Sequence, residues 1–223
     1  YGIKSDKVLE IPHPCRKNVQ IQDRQKAAKK LGLEDKEIVL VFGFIREGKG
    51  LELAIRSMEL LQELSPDALL LIAGRPKDRE GKKYLRELKS LTRKLRLEDY
   101  VHFDTRFIPE EEVPLYFSSA SVILVPYTES VGASGPIHNH AAYGTPIVAA
   151  DVGYHMRGAL GGSLVLFEAG DTRDLAHTVN KVLSNKEFAT HTGNKHQNYA
   201  TKETWRRAAF RTLRNYAESL KLQ

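Results

Sequence analysis

Cys15 is the only cysteine in 223 residues, so no intrachain disulfide can form and no tetrahedral thiolate metal site can be assembled. A reducing, cytoplasmic compartment is the expected setting. No apolar run approaches the roughly 20 residues of a membrane span. There is no internal repeat and no low-complexity stretch. No signal peptide is present and the first residue is Tyr1 rather than Met, so we expect a piece excised from something longer. The Walker spacing GxxxxGK[ST], the GxGxxG fingerprint and the GxSxG nucleophile elbow are all missing. His138 and His140 stand two apart on an expected helix and point to different faces, so neither is expected to ligate a metal.

What is present is ordinary globular material, 41% hydrophobic and 8% aromatic, long enough for one large domain. Six short apolar runs, at residues 37–43, 68–74, 100–104, 121–127, 146–151 and 163–167, read as strands buried on both faces. Helical patterns alternate with them at 50–64, 79–96, 110–118, 136–143, 172–184 and 202–220; the first carries Leu51, Ala54, Ile55, Met58, Leu61 and Leu64 on one stripe. This alternation predicts an α/β fold, a doubly wound parallel sheet of Rossmann-like type. We expect 1–19 to be an interdomain strand and linker, 20–200 the α/β domain and 201–223 a C-terminal helix.

Ligands of such sheets sit outside the carboxyl ends of the strands. Two of those loops are rich in small and charged residues. Gly43-Phe44-Ile45-Arg46-Glu47-Gly48-Lys49-Gly50 brings three glycines and two cations between a strand and a helix, a composition suited to phosphate or to a plain solvated turn. Pro126 to Pro146 contains Glu129, then Gly132-Ala133-Ser134-Gly135-Pro136, which leave room for a ligand against bare backbone. Gly135 and Pro136 suit the start of a short helix and Gly144 its end, and the helix N-terminus makes an anion site by geometry.

The net charge of +6 and pI near 9.3 are concentrated. Residues 75–96 hold ten Lys/Arg against three acids, and 202–221 hold six against two, so the rest of the chain is net acidic. Only Tyr84 interrupts the cations of 79–96 with an aromatic ring, so a nucleic-acid partner, which calls for stacking platforms, is not expected. The alternatives for this basic face are a solvated surface or contact with an anionic membrane.

Together the two loops resemble glycosyltransferase family 4, nucleotide-sugar-dependent retaining enzymes of the GT-B fold, over about residues 8–220. Gly43, Lys49 and Gly50 keep the spacing of the nucleotide-binding C-terminal domain, with Phe44 where Arg is usual and Arg46 as its substitute. Gly74-Arg75-Pro76 resembles the second strand exit, Phe107-Ile108-Pro109 the segment whose backbone holds the nucleobase, and Gly170-Asp171 the closing signature. Ile11-Pro12-His13 resembles the interdomain strand. The family's two glutamates are separated by seven residues. Aligning on Pro136 and Gly144 puts Asn139 at the second position and Val131 at the first, with Glu129 two residues early.

The resemblance implies a donor-binding domain that transfers sugar from a nucleoside-diphosphate sugar, without a cofactor or metal. Arg46, Lys49 and Glu129 would be its catalytic groups. The nucleotide would be held by Gly43, Gly74, Ile108, Gly132, Ala133, Ser134, Gly135, Pro136, Ile137 and Asn139. It also implies an acceptor glycan or lipid-linked sugar held by an N-terminal domain, towards which 201–223 would pack, and a fragment inactive alone. Many such enzymes act on lipid-linked acceptors, so if the face of 79–96 is more than a solvated surface, an anionic membrane is the partner the resemblance implies. An epimerase or phosphorylase of the same architecture, and a catalytically degenerate nucleotide-binding or scaffold module, are the competing readings; Asn139 favours the last.

Overall fold

A computed structural model of the chain describes residues 10–129 and 135–220, the side chains of Tyr154 and His155 excepted. The expected residues Val131, Gly132, Ala133 and Ser134 lie outside the described residues. Six strands form one parallel sheet: β1 (Glu37–Phe42), β2 (Ala68–Ala73), β3 (Val101–Asp104), β4 (Val122–Val125), β5 (Ile147–Ala150) and β6 (Val165–Phe167). Their spatial order is β3-β2-β1-β4-β5-β6. Glu37 of β1 pairs with Ala68 of β2, and Val39 with Val122 of β4.

The helices are α1 (Arg24–Lys30), α2 (Leu51–Leu64), α3 (Arg79–Lys94), α4 (Val113–Ser119), α5 (Gly135–His140), α6 (Tyr154–Gly158), α7 (Thr172–Ser184), α8 (Lys186–Lys202) and α9 (Trp205–Leu220). The pleat sorts the strands' side chains by parity. Val39, Val41, Leu70, Ile72, Val122 and Leu124 pack against α2, α3 and α7. Ile38, Leu40, Leu69, Leu71, Ile123 and Val125 pack against α1, α4, α5 and α8. β2, β4 and β5 are buried along their whole length, because helices cover both faces. No helix among the described residues is long and apolar enough to cross a membrane.

Three helical expectations change, and α1, α6 and α8 are additions to those expected. The helix expected at 110–118 begins at Val113, which puts Pro114 in the first turn, where its missing N–H costs nothing. The one expected at 136–143 is helical only to His140 and tightens to a 3-10 turn at Ala141–Tyr143. The helix at 202–220 is broken: Lys202 ends α8, and α9 starts at Trp205. Between them the Cys15 N–H donates to the Glu203 carbonyl at 2.7 Å, tying the segment before α1 to the break. The whole of α8 is an addition. Its buried stripe is Thr192, His196 and Ala200 with Gly193, residues without the hydropathy of a core helix. Gly193 is there for contact: a Cβ would lie 1.8 Å from the carbonyl oxygen of Gly144. The ring nitrogens of His196 lie 3.3 and 3.0 Å from the carbonyl oxygens of Thr145 and Ser163, linking α8 to the lead-ins of β5 and β6.

His140 stacks on Phe117, with ring centroids 3.5 Å apart, and its buried Nδ1 has no hydrogen-bond partner among the described residues. Burial first, and the Arg16 guanidinium second, push its imidazole down to about 3. Burial likewise lowers His196, against the pull of its two carbonyls. Unfolded, both rings take a proton below about pH 6.5; folded, they resist it until lower pH. Stability therefore falls as pH drops through that value, by up to about 1.4 kcal/mol per pH unit for each ring. His140→Phe keeps the stack and removes the titration and the unpartnered nitrogen. Denaturant midpoints measured at pH 7 and pH 5 should fall less in this variant than in the wild type, and at pH 7 it should be at least as stable; equal slopes would contradict this.

Candidate functional site

The strand order reverses direction between β1 and β4, and the crevice outside their carboxyl ends is the switch point where open α/β sheets bind ligands. The turn from β1 into α2, residues 43–50, lies in that crevice and is sewn to both neighbours. On one side the Ile45 N–H donates to the Arg75 carbonyl at 3.0 Å and the Lys77 N–H donates to the Ile45 carbonyl at 3.1 Å. On the other the Thr128 N–H donates to the Gly48 carbonyl at 3.3 Å. Gly50, with φ 66°, caps α2, and a Cβ there would sit 1.7 Å from the Pro126 carbonyl oxygen, so only glycine fits. A Cβ on Gly74 would sit 2.2 Å from the Gly43 carbonyl oxygen. The exits of β1, β2 and β4 thus meet backbone to backbone.

Lys49 is the cation this packing delivers to the crevice. Its Nζ donates to the Tyr127 hydroxyl at 2.6 Å and lies 4.0 Å from the centre of that ring. A cavity of about 20 Å³, roughly the space of one water molecule, is lined here by Gly43, Phe44, Lys49, Tyr127 and Pro136 among others. Arg46 turns back on its own loop, donating from Nη1 to the Glu47 carbonyl at 2.9 Å. Glu129 and Asn139 are exposed, whereas the Ile137 side chain is buried in the core, leaving its backbone as the part able to meet a ligand.

The β3 exit is held by a polar cluster that the sequence reading missed. The buried Tyr116 hydroxyl donates to Asp104 at 2.5 Å and accepts from Arg106 Nη2 at 2.8 Å, while Arg106 also reaches Glu112 at 2.6 Å. Partial burial works against the charge on Asp104, but the bonds from Tyr116 and Arg106 outweigh it and hold the carboxyl below its usual range. The loop between these partners carries Ile108, which is buried, and Phe107, which is 62% exposed. Phe107 and the 49% exposed Phe44 flank Arg75, whose guanidinium carbon is 5.4 and 5.6 Å from their ring centres. Three consecutive strand exits therefore present a flat aromatic and cationic surface beside Lys49. Aromatic residues in successive strand-exit loops were the available signal; their convergence depends on sheet order.

A larger cleft of about 760 Å³ lies between residues 10–13 and α9, and none of the expected site residues among the described residues lines it. Its cations are already occupied: Arg211 binds Glu203 at 2.5 Å and Arg214 binds Glu218 at 2.7 Å. His138 lines it, with its ring 4.4 Å from that of His13. Volume favours this cleft, whereas Lys49, which makes no ion pair among the described residues, stands at the switch point. No group of three His, Cys, Asp or Glu side chains among the described residues is placed to hold a metal ion.

Solved structures share this architecture. A glycosyltransferase from Rickettsia africae superposes with TM-score 0.82 at 15% identity, over 99% of this chain and 59% of that one. Anabaena HepE in complex with UDP superposes with TM-score 0.75 at 20% identity, over 90% of this chain and 53% of that one. Among curated sequences, mannosylfructose-phosphate synthase of Agrobacterium fabrum is 29% identical over 188 residues, 81% of this chain and 41% of its own length. A GDP-mannose-dependent phosphatidylinositol monomannoside mannosyltransferase of Mycolicibacterium smegmatis is 31% identical over 132 residues, 56% of this chain and 33% of its own length. The chain thus spans less than half the length of these curated relatives. The family model for glycosyl transferases group 1 matches residues 23–199, and with its Rossmann-like sheet forming one half of a GT-B architecture, the chain belongs to that family.

Proposed function

We propose that this chain is the donor-binding part of a retaining glycosyltransferase that moves a sugar from a nucleoside-diphosphate sugar to an acceptor glycan or lipid-linked sugar, and that it is inactive alone. The observation that carries this reading is Lys49, held at the β1/β4 switch point by three strand exits whose backbones touch. The UDP complex of the HepE neighbour supports it. Departure of a nucleoside diphosphate builds charge on its outer phosphate, and pre-placed cations lower the cost of that charge. Lys49 supplies one, and Arg46 a second once its guanidinium swings from the Glu47 carbonyl. Bare backbone at Gly43 and Gly135 admits the ligand closely, with Gly74 letting the β1 and β2 exits close up beneath it. The Ile108 segment, braced by Asp104, Arg106 and Tyr116, meets the base. Asn139 bonds a ribose hydroxyl as donor and acceptor, and Glu129 faces the sugar. None of these steps calls for a metal or cofactor.

Asn139 in place of a carboxylate favours a second reading, a degenerate nucleotide-binding module, and sugar release from a donor by a chain carrying the upstream domain separates the two. The binding itself is tested by calorimetry with UDP, GDP and ADP. One of them should bind, and Lys49→Ala should weaken it about 10–100-fold, the worth of a charge-assisted phosphate contact. Absence of binding at millimolar concentration would end the reading.

Two surfaces extend it. No residue of α9 is buried, and Trp205, Leu213, Tyr216 and Leu220 are each more than 60% exposed. We assign this apolar stripe to packing against an upstream domain. Hydroxyl-radical footprinting should show Trp205 and Tyr216 reactive in the 223-residue chain and protected when that domain is attached; equal reactivity would refute the packing.

On α3, Arg79, Lys82, Lys83, Arg86, Lys89, Arg93 and Lys94 are all exposed, with one ion pair, Lys83 to Glu87 at 3.8 Å, among the described residues. Tyr84, the only aromatic residue of α3, is buried and donates to Glu52, so no ring on this helix is left to stack on a nucleic acid. We assign the face to an anionic membrane surface. Anionic vesicles should sediment the chain and neutral ones should not, and Lys82→Glu with Arg86→Glu and Lys89→Glu should abolish sedimentation. Sedimentation unchanged by these three substitutions, or none by the parent, would remove the idea.

A further inference from the structure

Neither family membership nor the sequence assigns a role to Tyr127, the second residue beyond β4. It is buried, only 5% exposed, yet its hydroxyl oxygen faces the crevice as the acceptor of the Lys49 Nζ bond at 2.6 Å. The ammonium also rests 4.0 Å from the ring centre. A lysine side chain left alone samples many rotamers, and ordering it at the moment of binding subtracts from affinity. Here it is ordered before any ligand arrives. The constraint is shared by three consecutive residues: the Pro126 carbonyl presses on Gly50, the Tyr127 hydroxyl oxygen accepts a hydrogen bond from the Lys49 ammonium, and the Thr128 N–H donates to the Gly48 carbonyl. An ammonium has three N–H donors and no acceptor, so one bond to Tyr127 leaves two to offer an anion.

We propose that Tyr127 is a positioning residue for phosphate recognition. It parks the Lys49 ammonium over the β1/β4 crevice, so that a nucleoside diphosphate meets a cation already in place, and it keeps its own bond to that cation in the complex. This rests on the donor-binding reading of the same site. The ring alone does not explain the arrangement. Phenylalanine would give the same apolar packing and nearly the same cation–π contact, but would leave the ammonium free to rotate. The hydroxyl is what selects one rotamer.

The experiment separates the hydroxyl from the ring and the link from the ligand. In the free chain, the ¹⁵N-ammonium resonance of Lys49 should be visible, through slowed proton exchange, and should vanish in Tyr127→Phe. The same variant should keep the thermal midpoint of the parent. It should bind whichever of UDP, GDP or ADP the parent binds about 3–10-fold more weakly, the span of one net hydrogen bond. Binding of the matching nucleoside, which has no phosphate, should not change. In a Lys49→Ala background, Tyr127→Phe should add no further loss, because the tyrosine acts through the lysine. Equal nucleotide affinity in parent and Tyr127→Phe, or an additive loss in the double variant, would overturn the positioning role, as would a Lys49 resonance indifferent to the substitution. A parent that binds none of the three nucleotides overturns the donor reading and the phosphate role together, and the ammonium spectra still report whether Tyr127 holds Lys49.

Discussion

The carbonyl oxygen of Pro126 leaves no space for a side chain at position 50, and much of the molecule's chemistry follows from that contact. With glycine there, the β1–α2 turn drops between the ends of β2 and β4 and exchanges backbone hydrogen bonds with both. The turn carries Lys49, so the depth of the turn sets the position of the cation. The same closeness recurs at Gly74 against Gly43 and at Gly81 against the Ile45 carbonyl. A loop made of such contacts has little freedom left. That matters at a site whose proposed task is to meet charge with charge that need not reorganise.

Charge in this protein is divided between different surfaces. The total of +6 is dominated by one exposed helix and a C-terminal segment, whereas the cation at the switch point contributes a single unit. Around it the cluster of Asp104, Arg106, Glu112 and Tyr116 sets one guanidinium against two carboxylates, so it braces the β3 exit and adds no positive potential. The pairs that line the large cleft beside α9 are similarly self-satisfied. Cavity size and the position of Lys49 therefore point to different places, and the proposed site is the one at the strand-order reversal.

The legibility of the sequence follows burial chemistry. Strands buried on both faces must be apolar throughout, so residues 37–43, 68–74 and 121–127 announced themselves, and the observed strands lie inside those runs. α2 and α7 carry regular apolar stripes and were equally plain. α8 was not, because its inward positions are Thr192, Gly193, His196 and Ala200. A helix that packs by close backbone approach at Gly193 and by a buried imidazole carries no hydropathic period. The break at 203–204 was hidden for a related reason: the Cys15–Glu203 hydrogen bond that ties it to the segment before α1 joins residues far apart in the chain.

Gly43, Lys49, Gly74 and Ile108 could be chosen from local composition and resemblance, since glycine beside cations at a strand exit needs no long-range knowledge. Local composition was also enough for the parallel α/β class, because periodicity is a property of neighbours along the chain. Tertiary structure alone decided which strand exits touch, that Tyr127 rather than a carboxylate takes the Lys49 ammonium, that Phe44 and Phe107 converge on Arg75, and that Arg46 folds onto its own turn. Each of these is a contact across strands, set by the order β3-β2-β1-β4-β5-β6. That order results from how two helical layers share one sheet, a property of the whole packing that no window of sequence contains.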